Sequence, residues 1–114
     1  MTTIYGIANC DKCRKALRWF TNQGLEHHFH DLRRDGLSKK QVSDWLELSE
    51  AELLLNRRST TWRNLPEAER SKANTAAAAD LILANPTLIK RPLVQTGSVL
   101  IVGYDEQAWR EALG

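Results

Sequence analysis

Among the residues of this 114-residue chain, two cysteines three positions apart, Cys10 and Cys13, carry the most chemistry by type and spacing. The thiolate, not the thiol, is the reactive form of cysteine. A cysteine in the first turn of a helix faces unpaired backbone N–H groups and the positive end of the helix dipole, and both favour ionisation. The run Asn9-Cys10-Asp11-Lys12-Cys13 gives Cys10 that address, with Asn9 as the residue expected to cap the helix. Lys12, Arg14 and Lys15 add positive charge and Asp11 opposes them, so the Cys10 thiol is expected to titrate below an ordinary cysteine. Cys13, one turn further on, is spaced to attack a mixed disulfide formed at Cys10. Cys10 is then the nucleophile and Cys13 the resolving thiol.

Two other readings of the pair stay open. Free cysteines are often small buried hydrophobes with no chemistry. Alternatively, the two thiols and two of His27, His28 and His30 could supply the four ligands of a zinc site. Strand alternation argues against the second, because it sends these histidines to different faces, and there is no further Cys-x-x-Cys.

The surrounding elements must hold this pair in place. Ile4 to Ala8 reads as a strand, followed by a helix whose apolar stripe is Cys13, Ala16, Leu17 and Phe20 and which ends at Gly24. Leu25 to His30 reads as a second strand, with Leu25, His27 and Phe29 on one face. Arg34-Asp35-Gly36 marks a turn. Ser38 with Gln41, and Ser49 with Glu52, have capping-box spacing and predict helices over about 39–47 and 50–55. More helix is expected from Pro66-Glu67 and through the alanine-rich 75–84 stretch, until Asn85-Pro86 stops it. Leu88 to Gln95 then reads as a strand broken by Pro92, followed by a turn at Thr96-Gly97 and a strand over Val99 to Val102. Asp105 is the expected cap of a last helix carrying Ala108, Trp109, Ala112 and Leu113 on its apolar side. The predicted architecture is α/β: a four-stranded mixed sheet with a helical insertion, about 38–85, between the second and third strands, in one domain spanning 1–114.

Composition sets outer bounds. With 42% hydrophobic and 26% charged residues the chain reads as an ordinary soluble globular protein, and no apolar run approaches the roughly 20 residues of a membrane span. The N-terminus reads as a strand without signal-peptide features, so a cytoplasmic location is expected, where paired cysteines are redox-active or metal-binding more often than structural. A net charge of +2 with scattered basic residues gives no footprint for direct nucleic-acid binding. No membrane partner is expected either, and the chain is expected to be a monomer.

Three segments together resemble the arsenate-reductase-like (ArsC/Spx/YffB) family over essentially the whole chain: Ile4-Tyr5-Gly6-Ile7-Ala8-Asn9-Cys10-Asp11-Lys12-Cys13-Arg14-Lys15-Ala16, Asn56-Arg57-Arg58-Ser59-Thr60-Thr61-Trp62-Arg63, and Ile89-Lys90-Arg91-Pro92-Leu93. The resemblance is strongest to the YffB-type branch, which Phe29-His30-Asp31 and Asp35-Gly36-Leu37 also match. It implies a thioredoxin-like fold, Cys10 as nucleophile, Arg58 and Arg91 as site arginines that converge on it, and Pro92 as a cis-proline. Arsenate reductases have a third arginine after the hairpin, where this chain reads Val102-Gly103-Tyr104-Asp105, so arsenate reduction is not expected. The Spx branch contains redox-sensing transcription regulators that bind RNA polymerase through a glycine matched here by Glu50. The YffB-type branch implies a glutathione-linked thiol reductase, with no bound cofactor and glutathione, or another small thiol or oxyanion, as co-substrate. Arg58 and Arg91 would hold its carboxylate by charge-assisted bonds. Asn9, Pro92 and Trp62 are the further candidate substrate-binding residues. Arg33, Arg34, Arg57 and Arg63 are expected on the surface, His30 is expected to be structural, and Trp19, Trp45 and Trp109 are expected in or at the rim of the core.

Overall fold

The computed structural model describes residues 2–113, which form two compact units. The first comprises the chain up to Asp35 together with Arg91 onward, and the second is Gly36–Lys90.

The first unit is built on a four-stranded mixed sheet in a thioredoxin-like arrangement. Strands β1 (Thr2–Gly6) and β2 (His28–Asp31) are parallel, whereas β3 (Leu93–Thr96) pairs antiparallel with β1 and with β4 (Val99–Val102), giving the order β2-β1-β3-β4. Parallel pairing of β1 and β2 requires a crossover, supplied by helix α1 (Asp11–Asn22). Gly24, at φ 69°, ends that helix: its N–H donates to the Thr21 carbonyl at 3.1 Å and the Leu25 N–H to the Phe20 carbonyl at 3.0 Å. That pair of bonds is the Schellman motif, which needs a left-handed residue that glycine adopts without strain. Ile4 and Val94 are register partners and so share a sheet face. On them pack Ala16, Trp19 and Phe20 of α1 and Trp109 of α7 (Glu106–Leu113), which form one buried apolar cluster. As expected, Asp105 caps α7, accepting the Ala108 N–H at 3.0 Å. Ala112, assigned to the apolar side, is exposed, because the helix is anchored through Trp109.

The second unit contains α2 (Lys39–Leu48), α3 (Ala51–Leu54), α4 (Thr60–Arg63), α5 (Glu67–Arg70), a 3₁₀ turn (Ser71–Asn74), α6 (Ala78–Ala84) and a second 3₁₀ turn (Pro86–Leu88). Val42, Trp45, Leu54, Leu55, Leu81, Ile82, Leu88 and Ile89 are its largest buried side chains. The Ser38–Gln41 capping box is fully formed.

The structure corrects several boundaries. β1 is Thr2–Gly6 rather than Ile4–Ala8, and β2 is His28–Asp31 rather than Leu25–His30, since parallel pairing sets where each strand begins and ends. Ser49 ends α2 in an extended conformation, and Glu50 precedes α3 without a side-chain cap, so the second capping box does not form. The alanine-rich helix starts at Ala78, because Thr75 turns the chain and its hydroxyl oxygen accepts the Ala77 N–H at 3.1 Å. Leu88 and Ile89 are not strand residues. Pro86 opens a 3₁₀ turn there, and Ile89 makes an isolated bridge to Leu55 inside the helical unit. The hairpin turn is Gly97-Ser98, one residue later than read, since Thr96 pairs with Val99.

Candidate functional site

The segment that carries Cys10 leaves the sheet at Gly6 and is held on the β2 side. The Leu32 N–H donates to the Gly6 carbonyl at 2.8 Å, and the Ala8 N–H to Asp31 Oδ2 at 3.1 Å. Asp31 Oδ1 accepts the N–H groups of Arg33 and Arg34 at 2.9 and 3.0 Å, while the Asp31 N–H donates to Asp35 Oδ2 at 3.0 Å. The Asp31 side chain is buried. Its carboxyl lies below the usual carboxylate value, first because of the Arg34 N–H and then, against the opposing effect of burial, the Arg33 and Ala8 N–H groups. Asp31 thereby ties the end of β2 to the loop that leads into the cysteine pair. In the sequence it was only part of a branch resemblance, because the Ala8 amide it binds lies in a different segment and meets it only when β1 and β2 pair.

Cys10 itself occupies the helix N-cap. Its backbone is extended (φ −141°, ψ 121°), and its carbonyl accepts the Arg14 N–H at 3.0 Å. This corrects the assignment of the cap to Asn9, which lies in the preceding turn, and it moves Cys10 one residue out of the first turn. The Cys10 side chain makes no cap hydrogen bond of full geometry, yet the amides behind it still act on the sulfur. Burial pushes the Cys10 thiol up. The Cys13 N–H, a hydrogen bond from the Cys13 thiol, the charge of Arg91 and the Lys12 N–H outweigh it, so the net direction is down. Cys13 is fully buried at 0% exposure. Burial, with the hydrogen bond to Cys10 and the Cys10 charge, pushes its thiol up to about 12 despite the Ile7 N–H. One thiol is partly exposed and shifted towards ionisation; its neighbour is buried and shifted away from it.

Arg91 and Pro92 precede β3 in the same unit, and the bond between them is cis. Arg91 thus acts electrostatically on both cysteines. Ile7, Ala8, Asn9, Asp31, Arg33 and Arg34 line a cleft of about 340 Å³ beside the cysteine loop. Arg58 and Trp62 belong to the helical unit. The Arg58 N–H donates to Asn56 Oδ1 at 3.0 Å, and the Trp62 ring, half-buried, lies 5.3 Å from the Arg57 guanidinium. His27 turns Nδ1 to the Leu25 carbonyl at 2.9 Å and sets its ring against Phe20, while His30 lies 4.9 Å from the Tyr5 ring. Among the described residues no cluster of three or more His, Cys, Asp and Glu is spaced to hold a metal ion. In the segment where arsenate reductases place their third arginine, Tyr104 lies 4.7 Å beneath the Lys15 ammonium and donates a short hydrogen bond to Glu106.

The family model for the ArsC family matches residues 5–112. The chain belongs to the ArsC family. An uncharacterized protein of Haemophilus influenzae is 38% identical over 112 residues, which is 98% of each chain. The global transcriptional regulator Spx of Lactiplantibacillus plantarum is 28% identical over 99% of this chain and 86% of its own length. The solved structure of a YffB protein superposes with a TM-score of 0.93 at 33% identity, covering all of both chains.

Proposed function

We propose that this ArsC-family protein is a thiol-disulfide oxidoreductase in which the Cys10 thiolate attacks a disulfide sulfur, with glutathione as the co-substrate. The observation that carries this reading is the asymmetry of the pair: the Cys10 thiol is shifted down and partly exposed, beside a Cys13 thiol that is buried and pushed up to about 12. The Cys10 sulfur forms a bond to one sulfur of the substrate disulfide, and the other departs as a thiolate that takes up a proton. A second thiolate then attacks the mixed disulfide and returns Cys10 as thiolate. At neutral pH Cys13 holds its proton, so glutathione is the resolving thiol favoured, and Cys13 serves first as a hydrogen-bond donor to the Cys10 thiolate. Arg91, Arg58, Asn9, Pro92 and Trp62 are the residues assigned to hold the co-substrate, the arginines through its carboxylates. The protein acts as a cytoplasmic monomer in this reading.

The test is reduction of the mixed disulfide of glutathione and 2-mercaptoethanol, with glutathione recycled by glutathione reductase. Wild type and Cys13→Ser are expected to turn over and Cys10→Ser to be inactive. Equal activity in Cys10→Ser overturns the assignment. The similarity to Spx regulators over 99% of this chain favours a second reading, a redox-sensing regulator that docks on RNA polymerase. Turnover without polymerase capture supports the enzyme; capture that depends on the oxidation state of the cysteines, without turnover, supports the regulator.

A further inference from the structure

Gly6, the last residue of β1, has an ordinary backbone conformation: the glycines with positive φ are Gly24, Gly36, Gly97 and Gly103. Its backbone would therefore accept a side chain, and what forbids one is space. A Cβ built on Gly6 would fall well inside 3.0 Å of Cys13 Sγ, a separation real Cβ atoms essentially never show, and 3.3 Å from Cys13 Cβ. The third neighbour, a ring carbon of Phe29 at 3.5 Å, is in ordinary contact. The obstruction is the Cys13 side chain alone.

Neither partner has room to retreat through the backbone. Gly6 is held by the Leu32 N–H on its carbonyl at 2.8 Å and by register with Asp31 across the parallel pair, and its neighbour Tyr5 is paired with Leu93 on the other side. Cys13 lies in the first turn of a twelve-residue helix whose Ala16, Trp19 and Phe20 are fixed in the core. The close contact with Cys13 Cβ asks for a shift of a few tenths of an ångström, but the severe overlap, with Sγ, is relieved at χ1 of Cys13, and that torsion sets where the thiol points. We infer that Gly6 is a positioning residue for the thiol chemistry: its missing side chain is the seat in which Cys13 Sγ rests, and that seat aims the Cys13 S–H at the Cys10 sulfur.

The inference rests on the proposed role of the cysteine pair and deepens it. Gly6 touches no substrate in this account; it acts only through Cys13. Its effect must therefore vanish when the Cys13 sulfur is absent, which a merely structural glycine would not show. The experiment is a cycle of Gly6→Ala, Cys13→Ala and the double variant, read by thiolate absorbance of Cys10 against pH. Cys13→Ala is expected to raise the Cys10 midpoint by about one to two units, the worth of one hydrogen bond to an ionised group. Gly6→Ala is expected to raise it in the same direction, and Gly6→Ala made in the Cys13→Ala background to leave it unmoved. Thermal unfolding gives the second arm, usable even if Gly6→Ala folds poorly. The double variant is expected to melt above Gly6→Ala, because the sulfur that clashes with the new methyl is gone. An unmoved Cys10 midpoint in Gly6→Ala, or an equal shift with and without Cys13, overturns the role of Gly6 while leaving the thiol chemistry intact. A wild-type Cys10 midpoint no lower than that of a model peptide overturns the proposed function itself, and with it this inference.

Discussion

At the residue scale, the reactivity of this site comes down to which of two sulfurs ionises first. Cys10 is partly exposed and receives the Cys13 and Lys12 N–H groups, the Cys13 thiol and the Arg91 charge, which together outweigh the cost of its partial burial. Cys13 has the Ile7 N–H and Arg91 in its favour, but burial and the neighbouring Cys10 charge prevail. Iodoacetamide near neutral pH is therefore expected to modify Cys10 and leave Cys13, with a rate that climbs with pH through a midpoint below the ordinary thiol value of 9.0. Peptide mapping that finds Cys13 alkylated first reverses the assignment. Arg91 supplies a charge, so Arg91→Ala is expected to raise the midpoint, Arg91→Lys to restore part of it, and Arg33→Ala, on an exposed turn, to leave it in place. Equal shifts in Arg91→Ala and Arg33→Ala would mean that only long-range positive charge matters.

At the scale of elements, the loop from Gly6 to Cys10 is short and irregular, and a buried carboxylate gives it a fixed shape. Asp31 serves three backbone N–H groups with two oxygens, a task asparagine cannot match because one of its terminal atoms is a donor. Its folded-state pKa is depressed, so the stabilisation is present above the ordinary carboxylate value of 3.8 and is lost as pH falls through the lower folded value. Asp31→Asn is expected to be less stable than wild type at neutral pH by about 1–3 kcal/mol, the cost of a buried group left unsatisfied. The gap should close as pH falls below 3.8. Asp35, depressed to about 2 mainly by Arg34, is unchanged in both proteins, so the difference between their urea-denaturation curves isolates Asp31. A gap that is constant with pH would assign the loss to packing. This carboxylate also marks how far the elements could be read beforehand. The order of strands and helices along the chain, the Gly24 stop, the Ser38 box and the Asp105 cap were legible because each is written in residues close together in the chain. The Cys10 cap was misplaced by one residue, since Asn9 is the better cap by type, and only the tertiary turn decides where helical geometry begins. The Asp31 bond to Ala8 and the Gly6 seat were invisible for a related reason: both are contacts between different elements, set by how the chain folds back rather than by local sequence.

At the scale of the whole molecule, the candidate residues divide between the two compact units. Cys10, Cys13, Asn9, Arg91 and Pro92 belong to the sheet unit, and Arg58 and Trp62 to the helical unit inserted between β2 and β3. The thiol asymmetry, set by burial, neighbouring N–H groups and the Arg91 charge, needs only the first set, so the role of the second lies with substrate. Arg58 follows Asn56, whose carbonyl takes the Ser59 hydroxyl at 2.8 Å and whose side chain takes the Arg58 N–H, while Ser59 caps α4; the backbone around Arg58 is thus firmly held and the guanidinium is exposed. A fixed backbone carrying an exposed fork suits recognition of a carboxylate more than it suits packing. Arg58→Ala is then expected to weaken glutathione binding by about ten-fold to a hundred-fold, the loss of one charge-assisted pair, with no loss of thermal stability. Arg58→Lys, which keeps the charge but not the planar fork, should recover part of that. Arg63, at the end of the same short helix, is the control: exposed, equally charged, and expected to change nothing on conversion to alanine. Chemical-shift titration of glutathione against the three variants reads the affinity directly and without turnover. An unchanged affinity in Arg58→Ala removes the helical unit from glutathione recognition and leaves the thiol centre to the sheet unit alone. Equal weakening by Arg58→Ala and Arg63→Ala would instead reduce the effect to the net positive charge of that segment, which salt would screen and a fitted carboxylate pair would largely resist.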